Sequence, residues 1–333
     1  MINSRTMETK RYLLTEILAD ALADRKMAFI SGPRQVGKTT LAKQCIQSKA
    51  NYFNWDVAAF KRAWIRSPLK AIEFVESGPV VFDELHKYPY WKNSLKGLYD
   101  QVGDQIPIIV TGSVRLDLYN KGGDSLLGRY IPYRLHPLTV GEKPESARDP
   151  DHLETGAIQY PLQDLLICSG FPEPLLGGSE KKARRWSRLR QEQIVREDGR
   201  DLSKIQNIEL IKLLIELLPG RVCSPLSINS LREDLQVSYA TVRTWMAVLQ
   251  NLYVCFRVPP YSRNISRSLK KESKYYLFDW LPIEKQGPLI ENIVAIHLQK
   301  ACHYWTDLAY DRFELCYLRT REKQEVDFCV VRD

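Results

Sequence analysis

Residues 32–40 combine glycines, a lysine and hydroxyls at a spacing that suits phosphate binding. The stretch GPRQVGKTT fits the pattern G-x-x-x-x-G-K-[ST] at every fixed position. The glycines let backbone N–H groups point at negative charge, and Lys38 supplies a compact positive charge for β- and γ-phosphates. The hydroxyl of Thr39 suits a phosphate-bound Mg²⁺. The predicted phosphate site comprises Gly32, Pro33, Arg34, Gln35, Val36, Gly37, Lys38, Thr39 and Thr40.

Two adjacent carboxylates follow the apolar residues of VVFDE. Hydrolysis of a bound triphosphate requires a carboxylate that supports the Mg²⁺ and a base that orients water. We assign the first role to Asp83 and the second to Glu84. An Asp-Glu pair after apolar residues is also typical of a strand-end turn or a helix cap, which is the alternative interpretation.

Two further residues flank predicted strands. Ser113 ends IPIIVTGS, and the carboxyl ends of parallel strands carry the site in such sheets, so its hydroxyl is a predicted γ-phosphate sensor. The alternative for Ser113 is a plain turn hydroxyl. Arg129 precedes the fifth strand, from which a guanidinium could reach a phosphate on its own or a neighbouring subunit. A structural salt bridge is the alternative for Arg129.

The elements that must position these residues are strands alternating with helices. KMAFIS, NYFNWDV, GPVVFDE, IPIIVTGS and YIPYRLHPLT are predicted strands. Helices are predicted over residues 1–20, from Thr39 to Gln47, over AAFKRAWIRSPLKAIEFVES with a break at Pro68, and over YWKNSLKGLYDQVG. Continuously apolar strands of this kind predict a parallel sheet covered on both faces. The polar segment 141–156 is a predicted domain boundary.

The second half of the chain has a different pattern. A largely helical part runs to residue 220, followed by SINSLREDL, YATVRTWMAVLQNLY and two apolar strands that together predict a winged helix. As a DNA reader, its second helix would present Tyr239, Thr241, Arg243 and Thr244 to a groove. Winged helices also serve as lids or protein-docking surfaces, and both interpretations stay open. The hydrophobic core of the winged helix would contain Trp245, Met246, Val248 and Leu249.

The motifs GPRQVGKTT, FDELHK, VTGS, SLLGR, SGFPEP, KYYLFDW and YLRTREKQEVDF occur here in one order. Together they resemble prokaryotic AAA-type P-loop ATPases with a poorly characterised C-terminal domain, a winged helix joined to a restriction-nuclease-like fold. The resemblance implies ATP and Mg²⁺ as cofactors, an α/β core with a five-stranded parallel sheet ordered 5-1-4-3-2, and homo-oligomers formed through the ATPase face. It divides the chain into an ATPase core (1–145), a helical lid or linker (146–222), a winged helix (223–280) and a partial nuclease-like α/β domain (281–333).

Two acids in the last segment, Glu291 and Asp327, match metal ligands of such nuclease folds. The E-x-K strand that completes the nuclease site does not follow before Asp333. We therefore expect an incomplete sheet with an exposed edge and no nuclease activity, with Asp327 as a structural remnant. Truncation and degeneration of this domain are both open.

Composition and charge limit the location and the partners. No apolar run approaches the roughly 18 residues of a membrane span, the N-terminus lacks a secretory pattern, and the seven cysteines are scattered, so a cytoplasmic protein with reduced thiols is expected. The net charge of +8 concentrates in segments 181–190 and 257–274. Such clusters bind polyanions or form solvated helix faces.

Two functions follow. The first is an Mg²⁺-dependent ATPase whose cycle changes the conformation of a nucleic-acid-associated C-terminal module. The second is a slow ATP-dependent switch or scaffold that recruits a protein partner without a DNA substrate.

Overall fold

The computed structural model describes residues 11–113, 126–142, 150, 158–197, 208–262, 272–320, 322 and 324–333. It divides into two compact units, Met1–His136 with Glu142–Glu145, and Pro137–Gly141 with Ser146–Asp333. Three predicted features lie partly outside the described residues. They are most of the boundary segment 141–156, the first ten residues of the predicted helix 1–20, and residues 263–271 of the basic segment 257–274. The division into four domains stays a prediction.

The first unit is built on a five-stranded parallel sheet. Its strands are β1 (Met27–Ser31), β2 (Tyr52–Asn54), β3 (Val80–Asp83), β4 (Ile108–Gly112) and β5 (Tyr130–Arg134). Their order is β2-β3-β4-β1-β5, which confirms the predicted order. The strands β1, β3 and β4 are buried along their whole length, because their residues are apolar on both faces.

Helices follow most of the strands of this unit. They are α1 (Leu13–Ala19), α2 (Lys38–Gln44), α3 (Ala58–Arg66), α4 (Pro68–Ala71) and α5 (Trp91–Val102). The predicted break at Pro68 is present, because Ser67 caps α4 through the Lys70 amide and Pro68 occupies the first turn. α2 ends at Gln44 and not at Gln47, since Ser48 caps a short 3₁₀ turn that follows.

Aromatic and aliphatic side chains fill one face of the sheet. Phe82 of β3 lies in the middle of this core, with its ring centroid 4.9 Å from that of Trp64 on α3. Both side chains are almost fully buried. Packing of this kind fixes the strands at their centres and leaves their carboxyl ends to carry polar groups.

The second unit is mainly helical with two antiparallel strand pairs. Its helices are α6 (Leu162–Cys168), α7 (Pro172–Gly177), α8 (Glu180–Glu197), α9 (Ile208–Leu217), α10 (Ile228–Leu235), α11 (Tyr239–Asn251) and α12 (Gln286–Asp307). The strands β6 (Cys255–Val258) and β7 (Lys274–Leu277) pair with each other, as do β8 (Phe313–Arg319) and β9 (Glu325–Arg332). Within the described ranges, no helix combines the length and apolar content that crossing a bilayer requires.

Candidate active site

The loop between β1 and α2 contains the residues of the predicted phosphate site and closes around Lys38. Gly32 and Gly37 have φ of 152° and 99°, a backbone region that favours glycine. Lys38 is the first residue of α2 and is buried, and its Nζ donates hydrogen bonds to the carbonyls of Gly32 at 3.0 Å and Pro33 at 2.8 Å. The loop therefore wraps its own lysine at a helix N-terminus, where backbone amides favour anions.

The other residues of the loop differ in exposure. Val36 is fully buried, Arg34 is half-buried, and Gln35 and Thr40 are exposed. Arg11, buried ahead of α1, donates from Nη1 to the Val36 carbonyl at 2.7 Å and pairs with Glu142 at 3.0 Å. Arg11 thus supports the loop from within the first unit. No motif surrounds Arg11, so the sequence alone does not predict this role.

Asp83 lies beside Thr39. The Thr39 hydroxyl donates to Asp83 Oδ2 at 2.9 Å, and the Thr111 hydroxyl donates to Oδ1. The register of the parallel strands explains the convergence, since Asp83 ends β3 directly opposite Thr111 of β4. Hydroxyl and carboxylate oxygens are the hard donors that Mg²⁺ prefers, so these residues fit that ion.

Glu84 follows Asp83 in the left-handed region, with φ of 59°. Its Oε1 accepts a hydrogen bond from Ser113 Oγ at 3.1 Å, and its Oε2 lies 3.4 Å from Lys87 Nζ and 3.9 Å from His86 Nε2. Burial raises the pKa of Glu84, but the charges of His86, Lys38 and Lys87 outweigh burial and hold the pKa below its ordinary value. The structure thus brings Glu84 and Ser113 together.

Arg129 lies at the opposite edge of the sheet. Its carbonyl accepts from the Met27 amide at the start of β1, whereas the phosphate loop follows the end of that strand. Five residues of β1 separate the two edges by about 15 Å. The Arg129 guanidinium pairs with Asp100 of α5 at 2.8 Å. The structure therefore does not bring Arg129 to its own phosphate loop.

Tyr52 and Lys87 contact the candidate site but are not among the residues predicted from the sequence. The Tyr52 hydroxyl donates to Asp83 Oδ2 at 2.5 Å, and Lys87 Nζ is shared between Glu84 and Asp56, which lies 2.7 Å away. Burial and the hydrogen bond to Asp83 raise the pKa of Tyr52. Tyr52 starts the strand that pairs with β3, so the predicted strand order was the one signal that could have found it.

In the second unit, α10, α11, β6 and β7 occur in the predicted order. On α11, Tyr239, Arg243 and Thr244 are exposed, whereas Trp245, Met246 and Leu249 are buried. A cleft of about 560 Å³ is lined by Tyr239 and Arg243 of α11 together with Arg257 and Tyr275 of the strand pair. The winged-helix assignment stays a prediction.

Glu291 and Asp327 do come together, but around a lysine. The buried Lys274 Nζ lies 3.4 Å from Glu291, 2.6 Å from Glu325 and 2.8 Å from Asp327. Among the described residues, no group of three or more His, Cys, Asp or Glu side chains is arranged to hold a metal ion. An ammonium group thus lies where the resemblance implied metal ligands.

Two relatives that match most of the chain are described as uncharacterized proteins. This chain is 22% identical over 327 residues to the uncharacterized protein Rv2008c of Mycobacterium tuberculosis. The match covers 94% of this chain and 69% of that protein. The chain is 23% identical over 304 residues to a protein of Haemophilus influenzae, covering 81% of this chain and 73% of that protein.

Solved structures resemble the chain only weakly. The Aeropyrum pernix ORC1 protein in complex with DNA has a TM-score of 0.38 at 16% identity, covering 89% of this chain and 97% of that chain. The Thermotoga maritima RuvB Holliday junction branch migration motor has a TM-score of 0.34 at 19% identity, covering 78% of this chain and 94% of that chain. Similarities at this level indicate nothing about function.

Two family models match the chain in separate segments. Residues 160–280 match a domain of unknown function (DUF8612). Residues 24–143 match the AAA domain, and this range contains the loop around Lys38 together with Asp83 and Glu84. The segment of residues 24–143 therefore has a P-loop α/β fold and is similar to AAA-type ATPase domains.

Proposed function

We propose that this chain binds ATP with Mg²⁺ and hydrolyses it to ADP and phosphate, and that the cycle changes the conformation of a nucleic-acid-associated C-terminal module. The hydrogen bond of 2.9 Å between Thr39 and Asp83 carries the proposal. It joins the end of the phosphate loop to the end of β3, next to Glu84. A phosphate cradle, a pair of hard oxygen donors and a base candidate thus lie at one edge of the sheet.

Each side chain has a distinct role in the proposed reaction. Lys38 exchanges its carbonyl partners for β- and γ-phosphate oxygens and neutralises their charge. Thr39 would ligate Mg²⁺ and Asp83 would support it, and this ion supplies further charge neutralisation when bound. Glu84 accepts a proton from the attacking water, and Ser113 orients Glu84 or contacts the γ-phosphate.

Arg129 enters the proposal only between subunits. Its position at the amino edge of the sheet supports a role towards a neighbouring copy better than towards its own phosphate loop. We infer a homo-oligomer formed through the ATPase face, in which Arg129 leaves Asp100 and stabilises charge on a neighbour's phosphates. The ion pair with Asp100 is the structural alternative for this residue.

The nucleic-acid part of the proposal rests on the second unit. Tyr239, Arg243 and Thr244 are exposed on α11, and Arg243 and Arg257 line one cleft. Arginines that line one cleft with an exposed tyrosine suit a phosphate backbone and bases. We assign no base sequence preference to this surface.

Turnover measurements test the proposed function. Glu84→Gln removes the base while keeping the shape of the side chain, so we expect turnover to fall by about 10²- to 10³-fold with ATP affinity unchanged. Lys38→Ala should instead lose ATP binding. Both variants are compared with the parent chain with and without duplex, single-stranded and branched DNA. Unchanged turnover in Glu84→Gln and no response to any DNA would refute the proposal.

A slow ATP-dependent switch or scaffold that recruits a protein partner is the second candidate. The contacts of Glu84 favour it, because Ser113 and Lys87 already engage the two carboxylate oxygens. With both carboxylate oxygens engaged, Glu84 accepts a proton from water poorly. ATP hydrolysis is therefore slow until Ser113 and Lys87 release Glu84. Slow turnover that stays constant with every DNA, together with tight ATP binding, would support this candidate over the first.

A further inference from the structure

The helix α8 carries a row of basic side chains on its exposed face. Segment 181–190 contains six basic residues, and the structure separates them into two groups. Arg190 is only 2% exposed, with its guanidinium carbon 4.3 Å from the centroid of the Phe171 ring. The other five are exposed and define the basic face of α8: Lys181, Lys182, Arg184, Arg185 and Arg188.

Most of these cations form no ion pair within the described residues. Arg184 pairs with Glu180 at 2.7 Å. In the ranges that the structure describes, the remaining four make no ion pair. Their positive charge is therefore directed at solvent, without the i,i+4 pairs that usually accompany a solvated helix face.

The position of the charges opposes the stability of the helix. α8 begins at Glu180, so four of the five cations lie within its first two turns. The amino end of a helix carries partial positive charge, and basic side chains there are unfavourable. The folding of α8 alone does not favour this arrangement, which suggests that the cations serve a ligand.

The dimensions of the face match a nucleic-acid backbone. Residues 181–188 span about 12 Å along the helix axis. Each strand of duplex DNA carries one phosphate per about 3.4 Å, which gives about three to four phosphates over that length. The opposite side of α8 holds the buried Ala183 and Trp186 and is packed within its own unit. Leu189 is the one large apolar side chain that the described part of α8 exposes, which is too little for insertion into lipid.

We propose that the basic face of α8 binds the phosphate backbone of duplex DNA. The proposal rests on the nucleic-acid part of the proposed function and identifies a contact surface for it outside α11. Phosphate contacts carry no sequence information, so this contact fixes position and is sensitive to salt.

The test is the salt dependence of DNA binding by the full chain. Lys181→Gln, Arg185→Gln and Arg188→Gln are combined, and binding to a fluorescently labelled duplex is followed by anisotropy at several salt concentrations. Each lost phosphate contact should make the slope of log K against log salt shallower by about 0.9. The slope of the triple variant should therefore be shallower by about 2 to 3, and its affinity for DNA should fall by about tenfold or more. Its thermal midpoint should be equal or higher, because the removed charges opposed the helix dipole.

A matched variant controls for net charge. Arg62→Gln, Arg66→Gln and Lys70→Gln remove the same charge from exposed positions on α3 and α4 and should leave the slope unchanged. An unchanged slope in the α8 variant, or an equal loss in the control, overturns the proposal. The proposal is also overturned if the α8 variant loses binding to phosphatidylserine vesicles but keeps its binding to DNA. Binding is measured without nucleotide and repeated in Lys38→Ala, so a failed ATPase assignment leaves this test valid.

Discussion

The carboxylate of Asp83 has a protein donor on each oxygen, and one donor comes from outside any motif. Thr39 and Tyr52 both donate to Oδ2, at 2.9 and 2.5 Å, and Thr111 donates to Oδ1. The Lys43 ammonium lies 4.1 Å from the centroid of the Tyr52 ring. Residues that hold a metal-supporting carboxylate in one orientation contribute to metal affinity without touching the metal.

We expect Tyr52→Phe to weaken the response to Mg²⁺. The variant keeps the ring and removes the hydroxyl that orients Asp83, so the Mg²⁺ concentration at half-saturation should rise about tenfold with little change in maximal turnover. The measurement is a Mg²⁺ titration of ATP binding and of turnover. Tyr99→Phe, which removes a hydroxyl bonded to the Arg25 carbonyl, is the matched control. Equal Mg²⁺ curves for the two variants would contradict the assigned role of Tyr52.

The phosphate loop depends on a close approach between two strands. A Cβ on Gly32 would lie 2.3 Å from the carbonyl oxygen of Leu135, which directly follows β5. The amide of Leu135 already donates to the Ser31 carbonyl at 2.8 Å, so the backbone at this position cannot move away freely. With φ at 152°, Gly32 also has a conformation that other residues rarely adopt.

Gly32→Ala should therefore destabilise the loop and the sheet edge together. The clash and the strained φ should lower the unfolding free energy by about 2 to 4 kcal/mol and weaken ATP binding. Urea unfolding and ATP titration measure the two effects. Gly97→Ala on α5 is the control, since a Cβ there meets nothing within 4 Å and should stabilise by about 0.5 to 1 kcal/mol. A Gly32→Ala chain as stable as the parent would refute this account.

These contacts show where the sequence was informative. Apolar runs predicted the five strands, and motif spacing predicted the loop and the Asp83–Glu84 pair, because burial and phosphate chemistry leave local patterns. The role of Tyr52 and the approach of Leu135 to Gly32 depend on which strands are neighbours, and periodicity does not encode that. Arg129 was open to several roles because its position before the fifth strand does not reveal its side-chain partner, which is Asp100 of α5.

In the second unit, one lysine joins segments that are far apart in the chain. Lys274 of β7 contacts Glu291 of α12 and two acids of β9, Glu325 and Asp327. Tyr276 adds a hydrogen bond to Glu291 at 2.7 Å. Burial lowers the pKa of Lys274, but the hydrogen bonds to Asp327 and Glu325 and the charge of Glu291 outweigh it and raise the pKa above its ordinary value.

We expect Lys274→Met to destabilise the chain at neutral pH. The three acids are partly exposed, so the free energy of unfolding should fall by an amount between that of a surface ion pair, about 1 kcal/mol, and that of a buried ion pair, about 4 kcal/mol. Because the pKa of Lys274 is raised on folding, its stabilisation is complete from neutral pH up to about pH 10.4 and is lost as the pH rises further. The gap between parent and variant in urea unfolding should therefore narrow at alkaline pH. Lys212→Met, which breaks an exposed pair with Glu209, should change stability by less than about 0.5 kcal/mol. Equal effects of the two substitutions would show that the Lys274 cluster does not hold these elements together.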